Sequence, residues 1–207
     1  MSHDKGFLIS IEGIDGAGKS TQIKMLDMWM YDRKIEHVIL KEPTQGQYGK
    51  EIARRAIAHE DTTPEEELRL FMEDRKGDAE NNILPALKAG KIVIMGRYYQ
   101  SNMAYQGARG LDMRKIREDN ERFSPQPNMV IVLDLDPASG LSRIVNQRKS
   151  QLDAFEKEEY LRKVRENFLE IGKQPNGVII SAEQSPDVVH REIVKAIEDR
   201  LPTFFFH

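Results

Sequence analysis

The stretch Gly13-Ile14-Asp15-Gly16-Ala17-Gly18-Lys19-Ser20 decides how the chain is read. Its spacing of glycine, lysine and serine is that of a phosphate-binding loop, G-x-x-x-x-G-K-[ST]. The flanks agree. Phe7 to Glu12 is an apolar run that reads as a buried parallel strand entering the loop. Lys19 to Arg33 leaves it with Ile23, Leu26 and Met30 on one helical face. Glycines let the backbone from Gly13 to Thr21 wrap closely around phosphate, and the helix start adds the positive end of its dipole. Lys19 is placed to reach the β- and γ-phosphates of a nucleoside triphosphate, and the Ser20 hydroxyl suits a Mg²⁺ ion on the same phosphates. The plain alternative is a glycine-rich turn with a solvated lysine. Strand and helix on either side weigh against it.

Outward from the loop, strands and helices alternate. His37 to Leu40 reads as a second strand, stopped by Glu42-Pro43-Thr44 because proline cannot continue a ladder. Gly49 to Ala58 and Pro64 to Leu87 read as helices; the second has Thr63 as its N-cap and Glu65, Glu66 and Glu67 in its first turn. Ile92 to Met95, Met129 to Asp134 and Val178 to Ile180 read as three further strands. Helices are expected over Ala138 to Arg148, Glu156 to Ile171 and Pro186 to Leu201. The alternation implies an α/β fold: a three-layer, doubly wound, five-stranded parallel sheet. Nothing reads as a repeat or a linker, so one domain over residues 1–207 is expected. The tail Phe204-Phe205-Phe206-His207 is expected to pack against the body, with a partner contact as the alternative.

Composition narrows the class without naming it. The formal net charge is −3 and the pI about 6.0, without the basic character of a general nucleic-acid binder. Charged residues make up 31% and hydrophobic ones 39%, as in soluble globular chains. The absence of cysteine excludes disulfides and thiolate metal sites. Met1 to Gly6 is polar and does not read as a signal peptide, and no apolar run approaches the roughly 18 residues a membrane span needs. The expectation is a cytoplasmic protein with no nucleic-acid or membrane partner.

Three further segments point to the phosphate acceptor. They are Leu40-Lys-Glu-Pro-Thr44 after the second strand, Leu70-Phe-Met-Glu-Asp-Arg75 on a helix, and Arg97-Tyr-Tyr-Gln-Ser-Asn-Met-Ala-Tyr-Gln-Gly107 after the third strand. With Ile11-Glu-Gly-Ile-Asp-Gly-Ala-Gly-Lys-Ser20 and Val132-Leu-Asp-Leu-Asp-Pro137, they resemble the thymidylate kinase family of P-loop nucleoside monophosphate kinases, in matching order over nearly the whole chain.

The resemblance implies roles that these side chains can fill. Phe71 stacks on the thymine ring and Arg75 donates to a base carbonyl. Ser101 and Asn102, with Gln106 further away, read the base edge. Tyr105 occupies the place of a ribose 2′-hydroxyl, and Arg97 holds the acceptor 5′-phosphate in its guanidinium fork. Glu42 and Thr44 flank that phosphate. Asp15 approaches the acceptor sugar, Lys19 or a metal-bound water. A lid over the donor is implied at about residues 146–158, with Arg148 its main cation and Arg143 and Lys149 as further candidates. Each role has a plainer counterpart. Phe71 fits an apolar helix pattern with Leu68 and Met72, Arg75 fits a solvated helix position, and Tyr98, Tyr99 and Tyr105 fit packing groups with wet hydroxyls. Asp15 could cap the turn, and Glu12 could be a buried carboxylate paired with an arginine or a weak metal ligand.

Against the family pattern, Gly96 stands where an aspartate usually precedes the Arg-Tyr pair and helps organise Mg²⁺. Some members carry an arginine in the loop, here Gly16; others carry it in the lid, where this chain has Asp153-Ala-Phe-Glu156. The leading expectation is transfer of the γ-phosphoryl of ATP to dTMP, giving dTDP and ADP, by a homodimer that uses Mg²⁺. Two alternatives stay open: a kinase for another deoxynucleoside monophosphate, whose base pocket would include Gln100, Asn102 and Gln106, and a nucleotide-binding homologue disabled at Gly96.

Overall fold

A computed structural model describes residues 6–58, 60–144 and 151–206. Five strands, β1 (Phe7–Glu12), β2 (His37–Lys41), β3 (Ile92–Gly96), β4 (Met129–Asp134) and β5 (Gly177–Ser181), form one sheet in the order β2-β3-β1-β4-β5. Every pairing is parallel, with Ile11 beside Gly96 on one flank and Glu12 beside Val132 on the other. β1 and β3 are buried at every position, which is why both read as unbroken apolar runs rather than alternating ones. Helices cover both faces. On one, α1 (Lys19–Asp32) packs against α9 (Pro186–Glu198); on the other, α8 (Gln151–Gly172) packs against β4 and α5 (Tyr99–Ala108). The remaining helices are α2 (Gln47–Ala58), α3 (Pro64–Asp78), α4 (Leu84–Lys88), α6 (Met113–Glu121) and α7 (Pro137–Ile144).

The expected helix over Pro64 to Leu87 is continuous but not uniform. Thr63 caps it in a full capping box: its hydroxyl accepts from Glu66 N at 3.2 Å, and the Glu66 carboxylate accepts from Thr63 N at 3.4 Å. Past Asp78 it widens into a π segment, Ala79–Ile83, in which Leu84 N–H reaches back to Ala79 O. Pro85 follows directly. Its ring clashes with a carbonyl four residues earlier in α register and it has no N–H to give, so the wider turn lets the helix continue to Lys88. Two helices, α5 and α6, were not expected from periodicity. Nearly all of α5 is buried, polar residues included, so no apolar stripe marks it. In the C-terminal turn Thr203–Phe206, Phe205 packs against the core as expected; the side chains of Phe204, Phe206 and His207 lie outside the described residues.

Candidate active site

The site is built along the carboxyl edge of the sheet, where α/β folds bind ligands. Gly13 leaves β1 with φ +136° and approaches β4 so closely that a Cβ there would lie 2.5 Å from Leu133 O. Gly18 caps α1 in the left-handed region at φ +86°, with open space around it, so backbone angle rather than crowding calls for glycine. Between them the loop closes with Ala17 N–H to Ile14 O at 3.3 Å. Ile14 and Ala17 are buried and hold the loop to the body; Gly16 packs beside α7, and Ser20 and Thr21 lie exposed in the first turn of α1. Lys19 folds back over the loop, donating to Gly13 O at 2.9 Å and Ile14 O at 2.7 Å. Burial, helped by repulsion from Arg97 and opposed by Asp15 and Glu12, holds its ammonium down at about 7.

Arg97 joins this loop to a second pocket. It follows β3 at φ +68°, an uncommon angle for an arginine and a form of strain that collects at functional sites. Its backbone N–H donates to Ile11 O at 3.2 Å. Its guanidinium pairs with Asp15 of the loop, donates to Ser101 Oγ at 3.2 Å and Tyr105 OH at 3.5 Å, and lies 5.2 Å from the Tyr105 ring centre. Under it, Glu12 is fully buried and accepts from Ser10 Oγ (2.5 Å), Ser101 Oγ (2.6 Å) and Tyr98 N (2.8 Å). Glu12 therefore acts as a buried brace, but through hydroxyls and a backbone N–H rather than through direct pairing with an arginine. Burial pushes its carboxyl upward, and those three donors hold it back only in part.

The second pocket has a volume of about 670 Å³. Glu42, Phe71, Arg75 and Arg97 line it together with Ser101, Asn102, Tyr105 and Gln106, so the acceptor-side residues expected from the sequence come together from three separate segments. Asp15 lines it too, from the loop. Phe71 is half-buried on the pocket wall and is absent from the packed core, so the plainer core reading does not hold. Arg75 is not a solvated helix residue: it is 1% exposed and bonded to three side chains. Nε donates to Glu42 at 2.9 Å, Nη2 to Glu42 and to Asn102 Oδ1 at 2.8 Å, and Nη1 to Asn120 Oδ1 at 2.5 Å. Burial nevertheless raises the Glu42 carboxyl to about 7, against the pull of Arg75. The hydroxyls of Tyr98 and Tyr99 are not wet; they donate to Pro125 O at 3.0 Å and Glu121 Oε1 at 2.9 Å. Gln100 faces away from the pocket and lines a separate cavity beside Tyr99 and Arg117, which removes it from any base pocket.

Several pocket residues escaped the sequence reading. Asn120, from α6, is fully buried and holds Arg75. Glu67, Arg109 and Tyr160 complete the wall. Only tertiary contact brings them there, and no local pattern announces them. On the donor side, Arg143 donates to Gly16 O at 3.3 Å and Ala182 O at 3.1 Å, bridging the loop to the turn after β5. Arg148 and Lys149 lie outside the described residues. Gly96 sits at the end of β3, where a Cβ would meet Ile23 Cδ1 at 2.9 Å, with Lys41 Cγ at 3.7 Å. Among the described residues no group of three or more His, Cys, Asp or Glu could hold a metal by itself. Ser20, expected to meet Mg²⁺, presents an exposed hydroxyl in the first turn of α1. Asp15, the other expected ligand, is engaged by Arg97.

A parallel sheet with a phosphate loop after its middle strand, and a polar pocket opening beside that loop, is the fold of the P-loop nucleoside monophosphate kinases. The sequence model of the thymidylate kinase family matches residues 11–193. Similar proteins include a probable thymidylate kinase of Archaeoglobus fulgidus, 44% identical over 94% of this chain and 96% of its own. A thymidylate kinase of Desulfotalea psychrophila is 40% identical over 97% and 98%, and one of Akkermansia muciniphila is 40% identical over 96% and 94%. The chain belongs to the thymidylate kinase family.

Proposed function

We propose that the protein transfers the γ-phosphoryl group of ATP to dTMP, releasing dTDP and ADP. The observation that carries this reading is the position of Arg97, whose guanidinium holds Asp15 of the phosphate loop on one side and Ser101 and Tyr105 of the second pocket on the other. A cation so placed neutralises the acceptor phosphate at the point where the two substrates meet.

The residues then divide the work. Backbone N–H groups from Gly13 to Thr21 and the start of α1 take the donor phosphates. Lys19 exchanges the carbonyls of Gly13 and Ile14 for phosphate oxygens, and Arg97 exchanges Asp15 for the acceptor phosphate. The attacking phosphate oxygen is already ionised, so no general base is needed. Phe71 stacks on the base, Arg75 and Asn102 read its edge with Ser101 and Gln106, Tyr105 closes the 2′ position, and Glu42 fixes Arg75. A Mg²⁺ ion held through Ser20 would neutralise charge on the β- and γ-phosphates. Arg148 is proposed as the lid cation, and Asp15, once Arg97 turns to phosphate, would be free to help hold a Mg²⁺ ion. A homodimer, with the helices after β2 and β3 at its contact, is proposed from membership of the family and is read by light scattering in solution.

The test is an ADP-release assay with ATP and Mg²⁺ and a panel of dTMP, dUMP, dCMP, dAMP and dGMP. Turnover fastest with dTMP is the expected result. Equal rates with purine and pyrimidine acceptors, or none with any, would overturn the proposal.

A further inference from the structure

The polar groups of the pocket form a chain of hydrogen bonds that all run in one direction. Arg75 Nη2 donates to Asn102 Oδ1 at 2.8 Å, Asn102 Nδ2 donates to Gln106 Oε1 at 3.0 Å, and Gln106 Nε2 donates to Glu67 Oε2 at 3.0 Å. Arg109 closes the far end, donating from Nη1 to the same Glu67 oxygen at 2.7 Å and from Nη2 to Thr62 O at 2.6 Å. Asn102 and Gln106 are 2% and 3% exposed, so water cannot substitute for a missing partner.

An amide by itself can face either way, because its oxygen accepts and its nitrogen donates. Here the two ends remove that freedom. A guanidinium can only donate and a carboxylate can only accept. Turning both amides over would set N–H against Arg75 and C=O against Glu67, two buried mismatches at once. Arg75 is itself fixed, by Glu42 and by Asn120, whose own amide is oriented by its Nδ2 bond to Ile116 O at 2.7 Å.

We infer that Glu67 is a specificity-determining positioning residue: as the accepting terminus of this relay it fixes the amide of Asn102 with its oxygen toward the base. The inference rests on the proposed dTMP reading and deepens it. Thymine offers a carbonyl at C4 and an N–H at N3. Arg75 keeps one N–H on Nη1 beyond its bond to Asn120, and Asn102 Oδ1 keeps a lone pair beyond its bond from Arg75, so the wall presents a donor beside an acceptor. Cytosine carries an amino group at C4 and a bare nitrogen at N3, the opposite pattern. A site built to pair polar groups rejects an analogue that leaves them unpaired. Glu67 itself stands two links away from Asn102 and acts through Gln106.

The experiment compares kcat/KM for dTMP and dCMP in the wild type, Glu67→Met, Glu67→Asp and the double variant Glu67→Gln/Gln106→Glu, with thermal melting of each. Glu67→Met removes the acceptor while keeping the length of the side chain, and Glu67→Asp withdraws the carboxylate from Gln106 while keeping its charge. In both, selectivity for dTMP over dCMP is expected to fall about tenfold, chiefly through a raised KM for dTMP. Moving the carboxylate one link inward, in the double variant, restores an obligate acceptor for Asn102, leaves an amide at position 67 to accept from Arg109, and is expected to recover most of the selectivity. Loss of packing or charge alone would not produce that recovery. Full selectivity in Glu67→Met and Glu67→Asp overturns the relay, as does a double variant no better than Glu67→Met. If Glu67→Met fails to fold, Glu67→Asp and the double variant decide between the same two outcomes. A wild type that uses dCMP as well as dTMP overturns the relay and leaves the kinase reading standing, whereas inactivity with every pyrimidine overturns the functional reading instead.

Discussion

The two halves of the site are built in opposite ways. The proposed donor loop is one contiguous stretch, Gly13 to Thr21, which would bind phosphate mainly through backbone N–H groups. The acceptor pocket gathers side chains from the loop after β2, from α3, from α5 and from α6, and ties them together at a buried arginine. A backbone site needs only the right angles, so its residues are small and close in sequence. A side-chain site needs partners for every buried polar atom, so its residues are dispersed and mutually dependent. The donor half should therefore separate activity from stability, and the acceptor half should not.

The sharpest way to break this contrast is to remove one cation from each half. Lys19→Ala should lower kcat by about 10³-fold, since it takes a charge from the transferring group, while leaving the melting temperature of the free protein no lower. Arg75→Met should strand Glu42 in the interior and cost about 3–5 kcal/mol, a fall of roughly 10 °C in melting temperature for a domain of this size. If Lys19→Ala melts as early as Arg75→Met, the division is wrong. Steady-state kinetics and calorimetric melting read both variants.

Gly96 sharpens the comparison from the edge between the halves. A Cβ there displaces only the flexible end of Ile23, so Gly96→Asp should fold with a loss of about 1 kcal/mol. The new carboxylate would face the phosphate edge near Lys41. The Mg²⁺ concentration for half-maximal rate should fall several-fold, measured by titrating the metal at fixed ATP. An unchanged metal requirement would mean that this chain organises the ion without a carboxylate at that position.

The smallest expected effect is a proton. Lys19 titrates at about 7 in the free protein and near 10.5 when unfolded. Between those values the unfolded chain holds a proton that the folded one lacks, so this group makes the free protein more stable as pH rises from 7 toward 10.5. Donor phosphates favour the charged form, so ATP binding at pH 8 should take up about one proton. Titration calorimetry in two buffers of different ionisation enthalpy measures it, and Lys19→Ala should abolish it. Absence of uptake in the wild type would show that Lys19 is already charged.

How legible each half was follows from the same difference in construction. The strands β1, β3 and β4 and the phosphate loop could be read directly, because burial on both faces leaves apolar runs and phosphate binding demands glycines at set spacing. The helix α5 could not be read from periodicity, because its buried face is made of Ser101, Asn102 and Gln106 as well as Met103 and Ala104. Those polar residues entered through family resemblance, which proposed their place but not their partners. Arg75 shows the limit most clearly. Its sequence context suits an exposed helix position equally well, and only the arrival of Glu42, Asn102 and Asn120 from three other segments makes burial of a guanidinium tolerable.

By itself, then, the sequence determined the order of the five strands, the phosphate loop and the family, since each is encoded by neighbours along the chain. The tertiary structure alone decided that Glu12 is braced by hydroxyls, that Gln100 faces another cavity, and that Glu67 terminates the relay through Asn102 and Gln106. Hydrogen-bond satisfaction in a buried site is settled between residues far apart in the chain, 33 positions in the case of Arg75 and Glu42 and 39 for Gln106 and Glu67.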